Sequence, residues 1–94
     1  MTIKSVKHKG LRRLYETGDA RGVRAGFVDK LRDMLFALDS AEVVDEVETV
    51  PGWRLHPLKG NLKGHLSLSV SGNWRLIFRF EGGDAYDLDL IDYH

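Results

Sequence analysis

The sequence predicts an α+β domain in which two N-terminal helices pack on one face of a small antiparallel β-sheet. Apolar residues recur at helical spacing before Pro51-Gly52 and at every second position after it. Two turn signals, Gly72-Asn73 and Gly82-Gly83, separate the alternating segments. The chain has 94 residues and is expected to form one domain over residues 1–94, because a divided core would bury too little apolar surface.

The first predicted elements are a strand and a helix. Ile3 to Val6 has the composition of a short strand. Leu11, Leu14 and Tyr15 then recur at helical spacing, and Gly18 is typical of the C-terminal end of a helix. We therefore expect a short helix that ends near Gly18.

The second helix has the clearest pattern in the chain. Apolar residues at intervals of three and four predict a helix from about Val23 to Leu38, with one face made of Phe27, Leu31, Met34, Leu35 and Leu38. Asp39-Ser40-Ala41-Glu42 resembles a capping signal at the start of a helix. A brief helical turn is therefore expected before Pro51-Gly52 breaks the chain.

The segment after this Pro-Gly break predicts a strand. Trp53 and Leu55 alternate with Arg54 and His56, so the apolar pair is expected to face the core and the polar pair the opposite side. Pro57 has no backbone N–H to donate to a neighbouring strand. It is therefore expected to end this strand.

Three more strands follow, the last from about Ala85 to Ile91, and each has an apolar face. The residues predicted to face the core are Leu66, Leu68 and Val70, then Trp74, Leu76, Phe78 and Phe80, then Tyr86, Leu88 and Leu90. Polar residues collect on the other face of the sheet. One concave surface is expected to carry Arg54, His56, His65, Arg75 and Arg79.

The charged residues are segregated along the chain although the net charge is zero. Residues 53–79 contain five Lys or Arg and no carboxylate, whereas residues 81–92 contain five carboxylates and no Lys or Arg. Cationic groups without acidic neighbours in the sequence favour an anionic ligand. The alternative is that the acidic and basic blocks neutralise one another across the fold.

Composition excludes several classes of protein. The chain has no cysteine, so it has no disulfide framework and no thiol nucleophile, and it suits a reducing compartment. It has no apolar run near the roughly 20 residues that cross a bilayer, and its first residues lack the apolar core of a signal peptide. We therefore expect a cytoplasmic protein.

Groups able to transfer protons lie in two places. Asp92-Tyr93-His94 follows the last predicted strand, and His56 precedes Pro57-Leu58-Lys59, a stiff loop with an ammonium group. Bringing these segments together would create a cationic pocket with an acid and a base, which is what cleavage of a phosphodiester requires. The residues therefore predict a small ribonuclease.

A metal site is the competing interpretation of the histidines. His56, His65, His94 and Asp92 are suitable zinc ligands. Their spacing argues against such a site, because no pair has the short separation that places two ligands on one element. We expect no metal and no other cofactor, since phosphate-binding glycine loops and dinucleotide motifs are also absent from the sequence.

Four segments resemble the HigB toxins of the RelE/ParE superfamily. They occur in the right order over nearly the full length: Ile3 to Leu11, Leu55-His56-Pro57-Leu58-Lys59-Gly60, Asn73-Trp74-Arg75, and Asp84-Ala85-Tyr86 leading to Asp92-Tyr93-His94. The resemblance implies a RelE-like fold. It also implies an mRNA interferase of a type II toxin–antitoxin pair, which cuts translated mRNA in the ribosomal A site through attack of the 2′-hydroxyl, without a metal.

The same resemblance implies roles for single residues and for partners. His56 and His94 become the proton-transfer residues with Asp92 and Tyr93 beside them, and which histidine is the acid stays open. The phosphate- and RNA-binding set is Lys59, Arg75, Arg79 and Lys63. The implied partners are a HigA-type helix-turn-helix antitoxin, the 30S A site of the 70S ribosome and mRNA, with promoter DNA bound only through the antitoxin complex.

One departure from the family pattern leaves other functions open. Many relatives have an arginine in the strand before Asn73-Trp74-Arg75, where this chain has Ser69 and Ser71. Its role would pass to Arg79, to Lys63 or to no residue. The alternatives are a non-enzymatic ParE-type toxin that binds DNA gyrase on the same fold, and an inactive chain kept as a co-repressor with its antitoxin.

Overall fold

The structure is a computed structural model that describes residues 1–93. Three helices come first: α1 (Lys9–Thr17), α2 (Val28–Ser40) and α3 (Asp45–Glu48). The strands follow: β1 (His56–Pro57), β2 (His65–Ser71), β3 (Trp74–Glu81) and β4 (Asp84–Asp92). They form a four-stranded antiparallel sheet in the order β1-β2-β3-β4, so the predicted helix-then-sheet architecture is confirmed.

The N-terminal segment lies along the free edge of β4. Ile3 bridges Ala85 and Val6 bridges Leu88, both in parallel orientation. The backbone N–H of Lys4 donates to the Ala85 carbonyl at 2.8 Å, which ties the segment to the sheet. The predicted strand is therefore reduced to two isolated parallel bridges. The reason lies between them, because β4 has an irregular backbone at Asp87, where φ is 54°.

Helix α1 has the end that the sequence predicts. Gly18 adopts the left-handed conformation with φ of 79°, and its N–H donates to the Leu14 carbonyl at 3.0 Å. Leu11 and Leu14 are buried in the core. At the other end His8 caps the helix, because the Leu11 N–H donates to its Nδ1 at 3.0 Å.

Helix α2 begins later than the apolar stripe suggests. Arg24 is extended, Ala25–Phe27 forms a 3₁₀ turn, and the α-helix starts at Val28. Glycines at positions 22 and 26 disfavour an earlier start, because glycine loses much backbone freedom in a helix. The core face of the helix is as predicted. No helix within residues 1–93 is long and apolar enough to cross a membrane.

The predicted capping signal at Asp39-Ser40-Ala41-Glu42 is wrong. Asp39 and Ser40 do not cap a new helix, because α2 continues through Ser40 and Ala41 then turns to an extended conformation. The brief helical turn comes later, as α3, and its Val47 is only 1 % exposed. Asp39 and Ser40 are therefore the last two residues of α2, and burial of Val47 holds α3 against the core.

The loop between α1 and α2 touches α1 through the backbone. A β-carbon at Gly10 would collide with the carbonyl group of Gly22, and one at Gly22 would collide with the α-carbon of Gly10. This approach is possible only because both residues are glycine. The contact places the loop that leads to Arg24 directly on the first turn of α1.

The sheet has one face on the core and one open face. Leu68, Leu76, Phe78 and Leu88 are fully buried beneath the helices. Tyr86 was predicted to face the core, and this is wrong. The pairing between β3 and β4 shifts between Ile77 and Arg79, so Tyr86 lies opposite Arg79 on the open face and Ala85 takes the core position.

The edge strand β1 is shorter than predicted. Trp53 is buried as expected, but Arg54 takes a left-handed conformation with φ of 51°, which interrupts the strand before His56. Pro57 is the last residue of this strand, as predicted, and it pairs with Leu66. Proline is accommodated there because β1 is the edge strand of the four-stranded sheet.

Candidate functional site

The open face of the sheet carries two pockets, and one of them contains most of the predicted site. This pocket, here called the basic pocket, has a volume of about 310 Å³ and is lined by Arg54, Leu55, His56, Leu58, Ser67, Ser69, Arg75 and Tyr93. It draws on β1, β2, β3 and the chain after β4. No Asp or Glu is present in this lining within the described chain. An anionic ligand would therefore meet cations without a carboxylate beside them.

Strand register assembles the centre of the basic pocket. His56 pairs with Ser67 across β1 and β2, and Ser69 pairs with Arg75 across β2 and β3. Residues opposite one another in a sheet share a face and lie about 5 Å apart at their β-carbons. The small serines therefore leave room between the imidazole of His56 and the guanidinium of Arg75.

Among residues 1–93, backbone carbonyls and not acids hold Arg75. Its Nη1 donates to the Gly72 carbonyl at 2.7 Å and to the Trp74 carbonyl at 3.2 Å. Carbonyl oxygens accept hydrogen bonds but carry no net charge. The guanidinium is thus fixed in place while its positive charge remains available to a ligand.

Arg54 is a further cation of the basic pocket. The sequence predicted that Arg54 lies on the polar face but gave it no role. Its left-handed backbone, with φ of 51°, turns the chain between Trp53 and His56. The adjoining Trp53 carbonyl accepts the Ser69 N–H at 2.7 Å, which fastens this turn to β2. Such backbone strain, of order 1–3 kcal/mol, is often found at functional sites. Sequence periodicity gives no signal of it.

Tyr93 brings the chain after β4 to the basic pocket. Its N–H donates to the Asn73 carbonyl at 2.7 Å, and its side chain lines the pocket. Asp92 pairs with Trp74, and strand alternation places it on the opposite side of the sheet from Tyr93. His94, the fourth predicted catalytic residue, lies outside the described residues. The structure thus brings His56 and Tyr93 into one pocket and places Asp92 on the other side of the sheet.

The two predicted lysines lie on a loop at the rim of the basic pocket. Lys59 and Lys63 flank the 3₁₀ turn Gly60–Leu62, and both are exposed. Lys59 directly follows Leu58, which lines the pocket. Leu62, by contrast, lines the neighbouring pocket. The loop therefore separates the two pockets, with Lys59 nearer to the predicted site.

The second pocket, here called the mixed pocket, contains both signs of charge. It measures about 590 Å³ and is lined by Lys7, Asn61, Leu62, His65, Ile77, Arg79, Asp87, Asp89 and Ile91. Arg79 donates to Asp87 and to Glu81, each at 2.8 Å, and its guanidinium lies 5.4 Å from the Tyr86 ring centre. The predicted single surface is therefore divided, with Arg54, His56 and Arg75 at one end and His65 and Arg79 at the other.

The ion pair in the mixed pocket affects the acidity of both partners. The hydrogen bond from Arg79 holds the pKa of Asp87 below its ordinary value, and the Ser5 hydroxyl contributes to the same effect. In return, Asp87 and then Glu81 raise the pKa of Arg79. Both groups are therefore charged at neutral pH, and the guanidinium of Arg79 is already neutralised by its neighbours.

The three histidines within residues 1–93 lie in three different surroundings. His56 lines the basic pocket and His65 lines the mixed pocket. Within residues 1–93, no group of three or more His, Asp or Glu residues is arranged to hold a metal ion. The remaining one, His8, has its Nδ1 occupied as a helix cap.

Comparison with known proteins gives the family. A family model described as a RelE-like toxin of the type II toxin–antitoxin system HigB matches residues 4–94. This chain belongs to the HigB toxin family. Endoribonuclease HigB of Proteus vulgaris is 48% identical over 92 residues, which cover 98% of this chain and 99% of that protein. Toxin HigB-1 of Vibrio cholerae serotype O1 is 35% identical over 80 residues, which cover 84% of each.

Solved structures agree with the fold of this HigB-family toxin. The YoeB-YefM complex from Staphylococcus aureus contains a chain that matches with a TM-score of 0.58 at 17% identity, covering 100% of this chain and 99% of that one. A YoeB/ParE toxin from Agrobacterium tumefaciens matches with a TM-score of 0.57 at 16% identity and the same coverage. The predicted RelE-like fold and the predicted family are therefore confirmed.

Proposed function

We propose that this HigB-family toxin is an endoribonuclease that cuts translated mRNA in the ribosomal A site without a metal ion. The observation that supports it most directly is the basic pocket, where His56, Arg75 and Tyr93 share a cavity whose described lining has no carboxylate. A relative with 48% identity is named an endoribonuclease. A protein-binding surface would have no need of proton-transfer groups gathered around cations.

The reaction needs only the RNA and this set of side chains. The 2′-oxygen forms a bond to phosphorus as the bond from phosphorus to the 5′-oxygen breaks, which leaves a 2′,3′-cyclic phosphate and a 5′-hydroxyl. A base takes the proton of the 2′-hydroxyl and an acid gives one to the 5′-oxygen. Charge accumulates on the five-coordinate phosphorus and must be stabilised by fixed positive groups.

The family resemblance and the residues that line the pocket together suggest how these roles are divided. One of His56 and His94 takes the proton of the 2′-hydroxyl and the other gives a proton to the 5′-oxygen. Tyr93 is a hydroxyl donor beside the reacting phosphate. Arg75 neutralises the phosphate, because two carbonyls hold its guanidinium without cancelling its charge. Arg54 and Lys59 supply further positive charge at the rim. Asp92, opposite Trp74, supports the segment that carries Tyr93.

The other predicted RNA-binding residues contribute less in this proposal. Arg79 is paired with Asp87 and Glu81 in the mixed pocket, so it offers little net charge to a phosphate. Lys63 lies at the far end of the 3₁₀ turn from Lys59. Lys63 is therefore assigned to general attraction of RNA and not to the scissile phosphate.

The partners follow from the same proposal. A substrate that is being translated places the toxin on the 70S ribosome in the cytoplasm, with mRNA in the 30S A site. The toxin is neutralised by a HigA-type helix-turn-helix antitoxin, and promoter DNA is bound only through that complex. The toxin–antitoxin family supports an antitoxin partner.

Expression without antitoxin tests the proposal. We expect growth arrest and codon-positioned mRNA cuts by primer extension from the wild-type toxin, and loss of both from His56→Ala, from Asp92→Ala and from a chain lacking His94. His65→Ala is a matched control, because it removes an imidazole from the mixed pocket. Retained arrest and cleavage in all three site variants would refute the catalytic assignment. DNA damage linked to supercoiling, without mRNA cuts, would favour the gyrase-binding alternative.

A further inference from the structure

Arg24 is an exposed cation stacked on an aromatic pair. Its guanidinium carbon lies 5.2 Å from the ring centres of both Phe27 and Trp74. The two rings lie 5.8 Å apart at an interplanar angle of 58°. Guanidinium groups are attracted to the faces of aromatic rings, so the rings hold this side chain in place. No sequence pattern indicated that Arg24 would meet Trp74, which is fifty positions away.

Arg24 differs from neighbouring arginines in the hydrogen bonds and ion pairs of its guanidinium. Its guanidinium makes no hydrogen bond and no ion pair within residues 1–93. Two other arginines differ in this respect. Arg21, on the same loop, is paired with Asp19 at 2.8 Å, and Arg79 is paired with two carboxylates. Arg24 thus combines a fixed position with free donors, which is the state of a guanidinium ready for an anion.

Arg24 also lies at the end of the sheet that carries the basic pocket. Trp74, beneath its guanidinium, is the first residue of β3, and the next residue is Arg75. Neighbours on a strand point to opposite faces, so the two arginines lie on the two sides of the same strand end. Tyr93 is fastened to this end as well, through the Asn73 carbonyl.

We propose that Arg24 binds a backbone phosphate of the substrate RNA adjacent to the scissile one, where the strand leaves the basic pocket over the end of the sheet. The inference rests on the proposed nuclease function. Arg75 holds the reacting phosphate on one side of β3, and Arg24 receives a neighbouring phosphate on the other. The paired charges of the mixed pocket do not favour a path for RNA in the opposite direction.

The contact should appear in substrate binding and not in the chemical step. An interaction with a flanking phosphate is the same in the bound substrate and the transition state, so its loss raises KM and leaves kcat nearly unchanged. We expect Arg24→Gln to raise KM roughly tenfold and to change kcat less than about twofold. Arg24→Lys should restore part of the affinity, because it keeps the charge but loses the planar donor fork.

The experiment uses the full-length toxin and ribosomes programmed with a defined message. Cleavage is measured for wild type, Arg24→Gln, Arg24→Lys and Arg21→Gln, the last being a matched removal of charge on the same loop. Each is repeated on messages in which one phosphate beside the cleavage site is a neutral methylphosphonate. At one position the neutral linkage should weaken wild-type binding and add nothing to the defect of Arg24→Gln.

The results separate this inference from the function on which it rests. If wild type cleaves and Arg24→Gln keeps a normal KM, the assignment of Arg24 is overturned alone. If the defect of Arg24→Gln stays the same size on every neutral message, the contact is with ribosomal RNA or is structural, and the proposal is also overturned. Absence of cleavage by wild type refutes the nuclease function itself. Thermal unfolding of each variant identifies any loss that comes from the fold.

Discussion

The two pockets on the open face contain two arginines of β3, Arg75 and Arg79, that differ in their partners. Arg79 is paired with carboxylates, and Arg75 is bonded to backbone carbonyls. Arg75 lies next to Ser69 and Ile91 on its neighbouring strands, and within residues 1–93 its guanidinium bonds only to carbonyls. Arg79 lies next to His65 and Tyr86, and the backbone irregularity of β4 presents Asp87 to it. Four residues along β3 therefore separate an available charge from a neutralised one.

This difference shows that register, more than composition, determines where charge remains available. The basic block at residues 53–79 and the acidic block at 81–92 contain five charged residues each, and the sequence therefore also allowed mutual neutralisation. Among residues 1–93, opposite charges neutralise one another in the mixed pocket, whereas the lining of the basic pocket has no carboxylate. A chain with no net charge thereby keeps a cationic site.

Replacing each arginine singly by glutamine should give the largest difference in cleavage rate between the two pockets. Arg75→Gln is expected to lower the rate of mRNA cleavage about 100-fold, the usual cost of removing one group that stabilises a transition-state charge. Arg79→Gln should lower it less than about threefold, because Arg79 is already paired. Single-turnover cleavage on programmed ribosomes measures both. Equal losses would mean that the two pockets do not differ in function.

Adding a carboxylate to the basic pocket should make it resemble the mixed one. Ser69→Asp places an acid directly opposite Arg75, and we expect about a tenfold or greater loss of cleavage as the guanidinium becomes paired. Ser71→Asp is the control, since Ser71 is exposed and outside the pocket lining. The same assay applies. Full activity of Ser69→Asp would show that Arg75 does not act through its free charge.

The ion pair of Asp87 in the mixed pocket should stabilise the fold in a way that depends on pH. Its pKa is lowered in the folded state from an ordinary value of 3.8, so its contribution is present above that pH and is lost as the pH falls through the lowered value. Asp87→Asn should reduce the free energy of unfolding by about 1 kcal/mol at pH 7, a figure kept low because this carboxylate is partly exposed. Urea unfolding at pH 7 and pH 3 should show the gap shrinking at the lower pH.

Glu81 should have the smallest effect. Its carboxylate is the more exposed of the two partners of Arg79, with 69% of the side chain accessible. Exposed pairs of this kind contribute little and are screened by salt. Glu81→Gln is therefore expected to leave the urea midpoint almost unchanged at moderate ionic strength. A loss as large as that of Asp87→Asn would mean that the two carboxylates act as one unit.

The sequence predicts the elements that depend on local patterns. Helix α2 and the hairpin turns at Gly72-Asn73 and Gly82-Gly83 follow from periodicity and turn chemistry, and Gly82 and Gly83 have the positive φ values that such a turn needs. The displaced face of β4 could not be predicted, because the left-handed Asp87 is held by Ser5 and Arg79 from elsewhere in the chain.

The sequence indicated several residues that share the basic pocket, but not how the charges are divided over the open face. His56, Arg75 and Tyr93 were identified from their chemistry and from the family resemblance, and the structure places them in one pocket. The division of the open face was not foreseen, since it depends on which acid reaches which arginine across the sheet. Arg24 was missed for a similar reason, because its aromatic partner Trp74 comes from a distant strand.

The contact between Gly10 and Gly22 has a consequence for mutational tolerance. The loop that carries Arg24 rests on α1 through main-chain atoms, with no side chain between them to adjust. Even a methyl group at position 10 or 22 would push the two segments apart and shift the aromatic stack at the end of the sheet. Both positions are thus expected to accept glycine alone, although neither one lines the basic pocket.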